Sequence, residues 1–143
     1  MTDEQWIELG RRAVACRGWR WLPGMLTMPD CDGRTWRFAS IPPDVLCTVQ
    51  ESGRRLRHGC RRAGLVPDLR DPATVGCLLA LVREAHGDAS GGPVPVTAAD
   101  RGDTSGGPPV WFVVWSHGPC GDPFHRAEPT EAAALVAALE FDR

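Results

Sequence analysis

Hydrophobic positions recur with helical periodicity near both ends of the chain. Residues 2–17 place apolar side chains on one face, and "TDEQ" is typical of a capping box in which Thr2 and Gln5 satisfy first-turn amides. Thr130 is a suitable N-cap for a closing helix over residues 130–141. The side chains of this closing helix that we expect in the core are Leu135, Val136 and Leu139.

A third helix is predicted in the middle of the chain, in "DPATVGCLLALVREAHGD". Asp71 is a good N-cap, Pro72 occupies the first helical position, and Gly87 is the expected residue after the helix. His86 falls in the middle of the apolar face and Cys77 at its edge. We therefore predict that His86 is a hydrogen-bonded packing residue and that these two side chains do not form one site.

The segment between the first two helices alternates aromatic and polar residues, which is typical of strands. In residues 19–21 ("WRW") and 36–38 ("WRF") the aromatic rings point one way and the arginine the other. Asp32-Gly33 predicts a hairpin turn, and residues 45–49 are consistent with a further strand.

Beyond the middle helix, residues 89–109 are rich in Gly, Pro and Ser, which predicts a flexible loop. Within it, "VPVT" (94–97) is consistent with a short edge strand. "VWFVVW" (110–115) is apolar on both faces, as in a central strand or an interface. The predicted architecture is a single α+β domain over residues 1–143, with three helices packed on a small, mainly antiparallel sheet.

Composition narrows the classes of function. The 143 residues carry a formal net charge of −2, so the chain as a whole has no strong positive electrostatic field that would attract nucleic acid or a membrane surface. All 16 basic residues are arginine, and the absence of lysine excludes P-loop and Schiff-base chemistry. Six cysteines without a signal-peptide pattern favour reduced thiols and a cytoplasmic location, and no apolar run is long enough to span a membrane.

Catalytic and metal motifs are weak. There is no G-x-S-x-G, and a pair of His117 and Cys120 lacks an identifiable orienting group, so we expect no enzymatic activity and no cofactor. The same pair, with His58 and Cys60, gives the only candidate zinc ligands, but C-x-x-C is absent. The competing interpretation is that the cysteines fill small apolar spaces and the loop histidines are solvated.

The strongest indication of function is a group of five arginines within nine residues, which we call the arginine cluster: Arg54, Arg55, Arg57, Arg61 and Arg62. Arginine binds phosphate bidentately, and tryptophan rings such as Trp111 and Trp115 offer faces on which a base can stack. Together they predict a site for a nucleotide-like ligand. The competing interpretation is a solvated basic surface, with the tryptophans in the core.

The segments "ELGRRAVAC", "LVPDLRDPATVGCLLALVREAHGD" and "EPTEAAALVAALE" resemble small accessory proteins of tailed bacteriophages over about half the chain. The resemblance implies a shared fold and a phage setting in the host cytoplasm, and it carries no catalytic residue. It implies a host-directed, non-enzymatic binder, with counter-defence by sequestering an anionic nucleotide signal as the leading function. The alternatives are an inhibitor that blocks a host defence protein and a zinc-supported module or small hydrolase. We expect a homo-oligomer with no membrane partner.

Overall fold

The computed structural model describes residues 1–30, 33–40, 46–50, 64–97, 100, 106–114 and 124–141. These ranges contain three helices and five strands, which confirms the predicted α+β class. In chain order the elements are α1 (Asp3–Ala15), β1 (Trp36–Ser40), β2 (Leu46–Gln50), α2 (Pro72–His86), β3 (Gly92–Val96), β4 (Val110–Val114), β5 (Phe124–Glu128) and α3 (Glu131–Glu140).

The chain divides into two compact units. The first unit consists of Met1–Ala15 and Trp19–Cys77, and the second of Cys16–Gly18 and Leu78–Arg143. Each unit has its own antiparallel sheet, β1-β2 in the first and β3-β4-β5 in the second. Within the described ranges, no helix combines the length and the apolar character needed to cross a membrane.

Helix α1 begins with the predicted capping box. The amide of Thr2 donates to Oε1 of Gln5 at 2.7 Å, and the amide of Gln5 donates to Oγ1 of Thr2 at 3.3 Å. These bonds satisfy amides that have no partner within the helix. On the buried face, a Cβ added at Gly10 would lie only 2.5 Å from Cγ1 of Val66 and 2.9 Å from the carbonyl oxygen of Pro67. Glycine is therefore needed there for close packing.

The sheet of the first unit is extended by two isolated bridges. β1 pairs with β2 so that Trp36 lies opposite Gln50. On the other side of β1, the amide of Thr27 donates to the carbonyl of Trp36 at 2.9 Å, and Thr27 also forms a bridge with Pro67. The stretch 25–28 is buried at every residue, and extended chain pairs with it on both edges.

Two predicted features of this region have different outcomes. The hairpin is confirmed by the bond from the amide of Asp30 to the carbonyl of Arg34 and by the positive φ of Gly33, while Asp32 lies outside the described residues. The strand expected at residues 19–21 is absent from the described structure. Trp21 instead stacks on Phe38, so that packing of the rings positions this stretch.

Helix α2 has the bounds that its capping residues predict. The side chain of Asp71 accepts the amide of Thr74 at 2.8 Å. At the other end Gly87 adopts φ +63°, its amide donates to Glu84, and the amide of Asp88 donates to Arg83. This is the arrangement by which a left-handed residue closes a helix.

In the second unit, α3 contacts all three strands of the sheet. The eight consecutive residues 132–139 are all buried, whereas only three of them were predicted in the core. The alanines between the larger residues make this possible because they let the helix be enclosed on every side. β4 is the central strand, and its two faces are unevenly covered: Val113 is 0% exposed and Val114 is 40% exposed.

Candidate functional site

Most of the predicted site residues lie outside the described residues. These are Arg54, Arg55, Arg57, Arg61, Arg62 and Trp115, and the candidate zinc ligands His58, Cys60, His117 and Cys120. Trp111 is described: it lies on β4, half-buried, opposite Pro95 on β3 and Glu128 on β5. The roles predicted for all of these side chains remain predictions.

The described residues on either side of the arginine cluster fix where its segment joins the first unit. Gln50 ends β2 opposite Trp36. The chain is described again from Gly64, and the carbonyl of Val66 accepts the amide of Met28 at 2.8 Å. Trp36 and Met28 flank the hairpin of residues 29–35. The described residues on both sides of the cluster's segment therefore lie at the same end of these strands, next to this hairpin.

The described arginines of the first unit pair with carboxylates, while for the cluster only the sequence around it is known. Arg37 makes a bidentate ion pair with Asp71, at 3.1 and 3.2 Å, and Arg70 makes one with Asp68 and reaches Asp3 at 2.9 Å. By contrast, the sequence contains no acidic residue from 52 to 67. The cluster is thus a run of positive charge without a carboxylate in its own segment.

The contacts of Asp71 form a polar network that links distant parts of the first unit. Asp71 accepts Oγ1 of Thr74 at 2.8 Å, and the same hydroxyl oxygen accepts the amide of Leu26 at 2.8 Å. Nη1 of Arg37 also donates to the carbonyl of Gly24 at 2.7 Å. Burial alone raises the pKa of Asp71, but hydrogen bonds from Arg37 and Thr74 outweigh it, so the pKa lies below its ordinary value.

This network is structural. Thr74 is 0% exposed, and its hydroxyl oxygen is used in two bonds, so it is not available to a substrate. Sequence reasoning recognised Asp71 as an N-cap and Arg37 on a polar strand face, but no local pattern indicated that they form a pair.

The thiol of Cys77 in α2 has a raised pKa. Burial, together with the negative charge of Asp71, raises the pKa of the Cys77 thiol, and Sγ donates to the carbonyl of Pro23 at 3.5 Å. The thiolate is the reactive form, so a raised pKa lowers the fraction of the thiol that can react at neutral pH. In the part of the chain that the structure describes, no three His, Cys, Asp or Glu side chains are grouped to hold a metal ion.

Two tryptophans of the first unit pack against aromatic neighbours. Trp21 stacks on Phe38 with ring centroids 4.4 Å apart, and Trp19 meets Trp21 edge to face at 5.5 Å. Such contacts add to the stabilisation from area burial. Both tryptophans are half-buried. These rings contact one another and Phe38, and the predicted ligand role of Trp111 and Trp115 stays a prediction.

His86 has the packing role that its position on the helix predicted. Its Nε2 is 3.0 Å from the carbonyl oxygen of Ala138, so the imidazole links the end of α2 to the last turn of α3 within the second unit.

Comparison of the chain with protein-family models, with curated proteins and with solved structures found no match.

Proposed function

We propose that this protein is a non-enzymatic binding protein whose arginine cluster holds an anionic, nucleotide-like ligand. The observation that carries the proposal is the contrast between two sets of arginines. Arg37 and Arg70 are neutralised by carboxylates within the first unit. The five arginines of the cluster lie in a stretch of sequence, residues 52–67, that contains no acidic residue and is bordered by Glu51 and Asp68.

The distribution of charge between the units supports the same site. The first unit has eleven arginines against nine acidic residues, and the second has five against nine. Their formal charges are therefore +2 and −4, although the whole chain is close to neutral. A local positive field of this kind attracts a small anion without recruiting nucleic acid along the whole surface.

Phosphate is the anion that fits this composition best. The guanidinium group is planar, always charged, and donates two parallel hydrogen bonds to phosphate oxygens. In the setting that the phage resemblance implies, the ligand is a nucleotide signal of the host, sequestered in the host cytoplasm by an oligomer of this protein. No bond is made or broken in this function, and no cofactor is needed.

A thermal-shift screen against linear and cyclic nucleotides, with inorganic phosphate and sulfate as simple anions, tests the proposal. We expect at least one nucleotide to raise the melting temperature well beyond either simple anion, because a binder of the native state stabilises it by mass action. The shift should shrink as salt is added, since salt screens exposed charges. If no nucleotide raises the melting temperature, the proposal of a nucleotide-like ligand is rejected.

A second candidate function is favoured by the sheet of the second unit. Val94 and Val114 are 43% and 40% exposed, and the pairing register puts them on the same face. Exposed apolar faces are frequent at protein interaction sites. An inhibitor that blocks a host defence protein needs such a site. Retention of a host protein by the wild type and its loss in a Val94→Asp/Val114→Asp variant, folded by circular dichroism, would favour inhibition over ligand sequestration.

A further inference from the structure

The outer edge of β3 has an unusual backbone. Its five residues pair in register with β4, from Gly92 opposite Val114 to Val96 opposite Val110. In an antiparallel pair, alternate residues direct their amide and carbonyl groups to the partner strand, and the residues between them direct theirs outward. Pro93 and Pro95 have no amide to give to β4. Positions 92, 94 and 96 therefore face β4, and 93 and 95 face outward.

Both outward amide positions of the strand are thus prolines. Any other residue there would present an unpaired N–H along the edge, which is what an incoming strand uses for pairing. Among the described residues, β3 pairs only with β4, so this edge is an outer edge of the sheet.

The next outward positions on either side of β3 are engaged by side chains. Before the strand, the amide of Gly91 donates to Oδ1 of Asp88 at 3.1 Å, and its carbonyl accepts Nε of Arg83 at 2.8 Å. After the strand, the amide of Thr97 donates to Oδ2 of Asp100 at 2.9 Å. From residue 91 to residue 97, every second amide is either absent or bound within the second unit.

We propose that β3 is a capping strand that closes this edge of the second unit to strand addition. The strand that it covers, β4, has the sequence "VWFVV", which combines high β-propensity, high hydrophobicity and no charge. On the other side of β4, pairing with β5 has a register shift between Trp111 and Val113, which interrupts the regular ladder there. The prolines of β3 thus prevent copies of this chain from joining through the regular side of the sheet.

The test is to restore the two amides and measure self-association. Pro93→Thr/Pro95→Thr puts a residue of high β-propensity at both positions. The matched control is Pro108→Thr/Pro109→Thr, which makes the same chemical change at two exposed prolines just before β4. Molar mass by light scattering, measured over a range of concentrations, gives the state of association, and thioflavin T fluorescence reports β-aggregates.

We expect the β3 variant to gain at least a doubling of molar mass over the wild type, with a rise in thioflavin T signal, while the control variant matches the wild type. A folded β3 variant with the mass of the wild type at every concentration contradicts the proposal. Should the double substitution unfold the chain, Pro95→Thr alone decides, because Pro95 is exposed and one restored amide suffices to begin pairing. Unchanged mass in that folded variant would likewise reject the proposal.

Discussion

The two units of this protein are stabilised in different ways. In the first unit, hydrogen bonds from buried polar side chains tie segments together that are far apart in the sequence, as where Thr74 accepts the amide of Leu26. In the second unit, α3 is an almost entirely apolar helix with eight consecutive buried residues, and its contacts include all three strands of the sheet.

The comparison shows what each kind of core requires. Polar links specify one geometry because an unmade buried hydrogen bond is costly. The position of an alanine-rich helix depends on side-chain volume, because its neighbours pack closely against the small alanine side chains. We therefore expect the first unit to be sensitive to loss of polar partners and the second to loss of side-chain volume.

The largest effect is expected in the second unit. Leu135→Ala removes a side chain that is 0% exposed, and substitutions of this type cost about 2–5 kcal/mol of unfolding free energy. Urea unfolding followed by circular dichroism measures the loss, and hydrogen exchange should rise in α3 and β4. Phe141→Ala, at a residue that is 70% exposed, is the control. Equal costs for the two variants would contradict the account of α3.

The next effect distinguishes two helical glycines. Gly10→Ala forces a Cβ against Val66 and Pro67 and should cost about 1–3 kcal/mol, as overpacking does. Gly76→Ala, in α2, meets nothing within 4 Å and should stabilise the protein by up to about 1 kcal/mol through helix propensity. Urea midpoints of the two variants should therefore move in opposite directions. Stabilisation by both substitutions would show that α1 does not approach residues 66–67 closely.

A smaller loss is expected from the polar network of the first unit. Thr74→Val keeps the shape of the side chain but leaves the buried amide of Leu26 without its acceptor, at about 1–2 kcal/mol. Thr74→Ser retains the hydroxyl and should recover most of the loss in the same unfolding experiment. If serine is no better than valine, the hydroxyl is not what holds this part of the unit.

The smallest effect is a dependence on pH. The pKa of Asp71 is lowered in the folded state, so its contribution to stability is present above the pKa of the unfolded chain and is lost as pH falls through the folded value. Between neutral pH and pH about 3, the urea midpoint of the wild type should fall more than that of Asp71→Asn. If the urea midpoints of the two proteins fall equally with pH, Asp71 is not the source of this pH dependence.

Local signals predicted much of the fold. Asp71, Pro72 and Gly87 fixed both ends of α2 because capping depends on residues a few positions apart. The same holds for the capping box at Thr2 and for the N-cap at Thr130, whose side chain accepts the amide of Ala133. A short edge strand was predicted at residues 94–97, and the edge strand β3 begins two residues earlier, at Gly92, and ends at Val96.

What the sequence did not predict depends on contacts between distant segments. Arg37 and Asp71 are 34 positions apart, and nothing near either residue indicates the other. Complete burial of α3 was missed because alanine is common on both exposed and buried helix faces. Within the candidate site, Trp111 was predicted on a strand and lies on β4. The arginine cluster was identified by composition alone and lies outside the described residues.

Calorimetric titration of one nucleotide, selected by the thermal-shift screen, tests the central claim most directly. It compares the wild type with Arg61→Gln/Arg62→Gln in the cluster and with Arg11→Gln/Arg17→Gln at exposed arginines outside it, two variants that change the net charge equally. A charge-assisted hydrogen bond contributes about 1.5–3 kcal/mol, so the cluster variant should bind at least about tenfold more weakly. The control variant should bind like the wild type. Equal affinity in all three proteins would contradict the assignment of the arginine cluster as the ligand site.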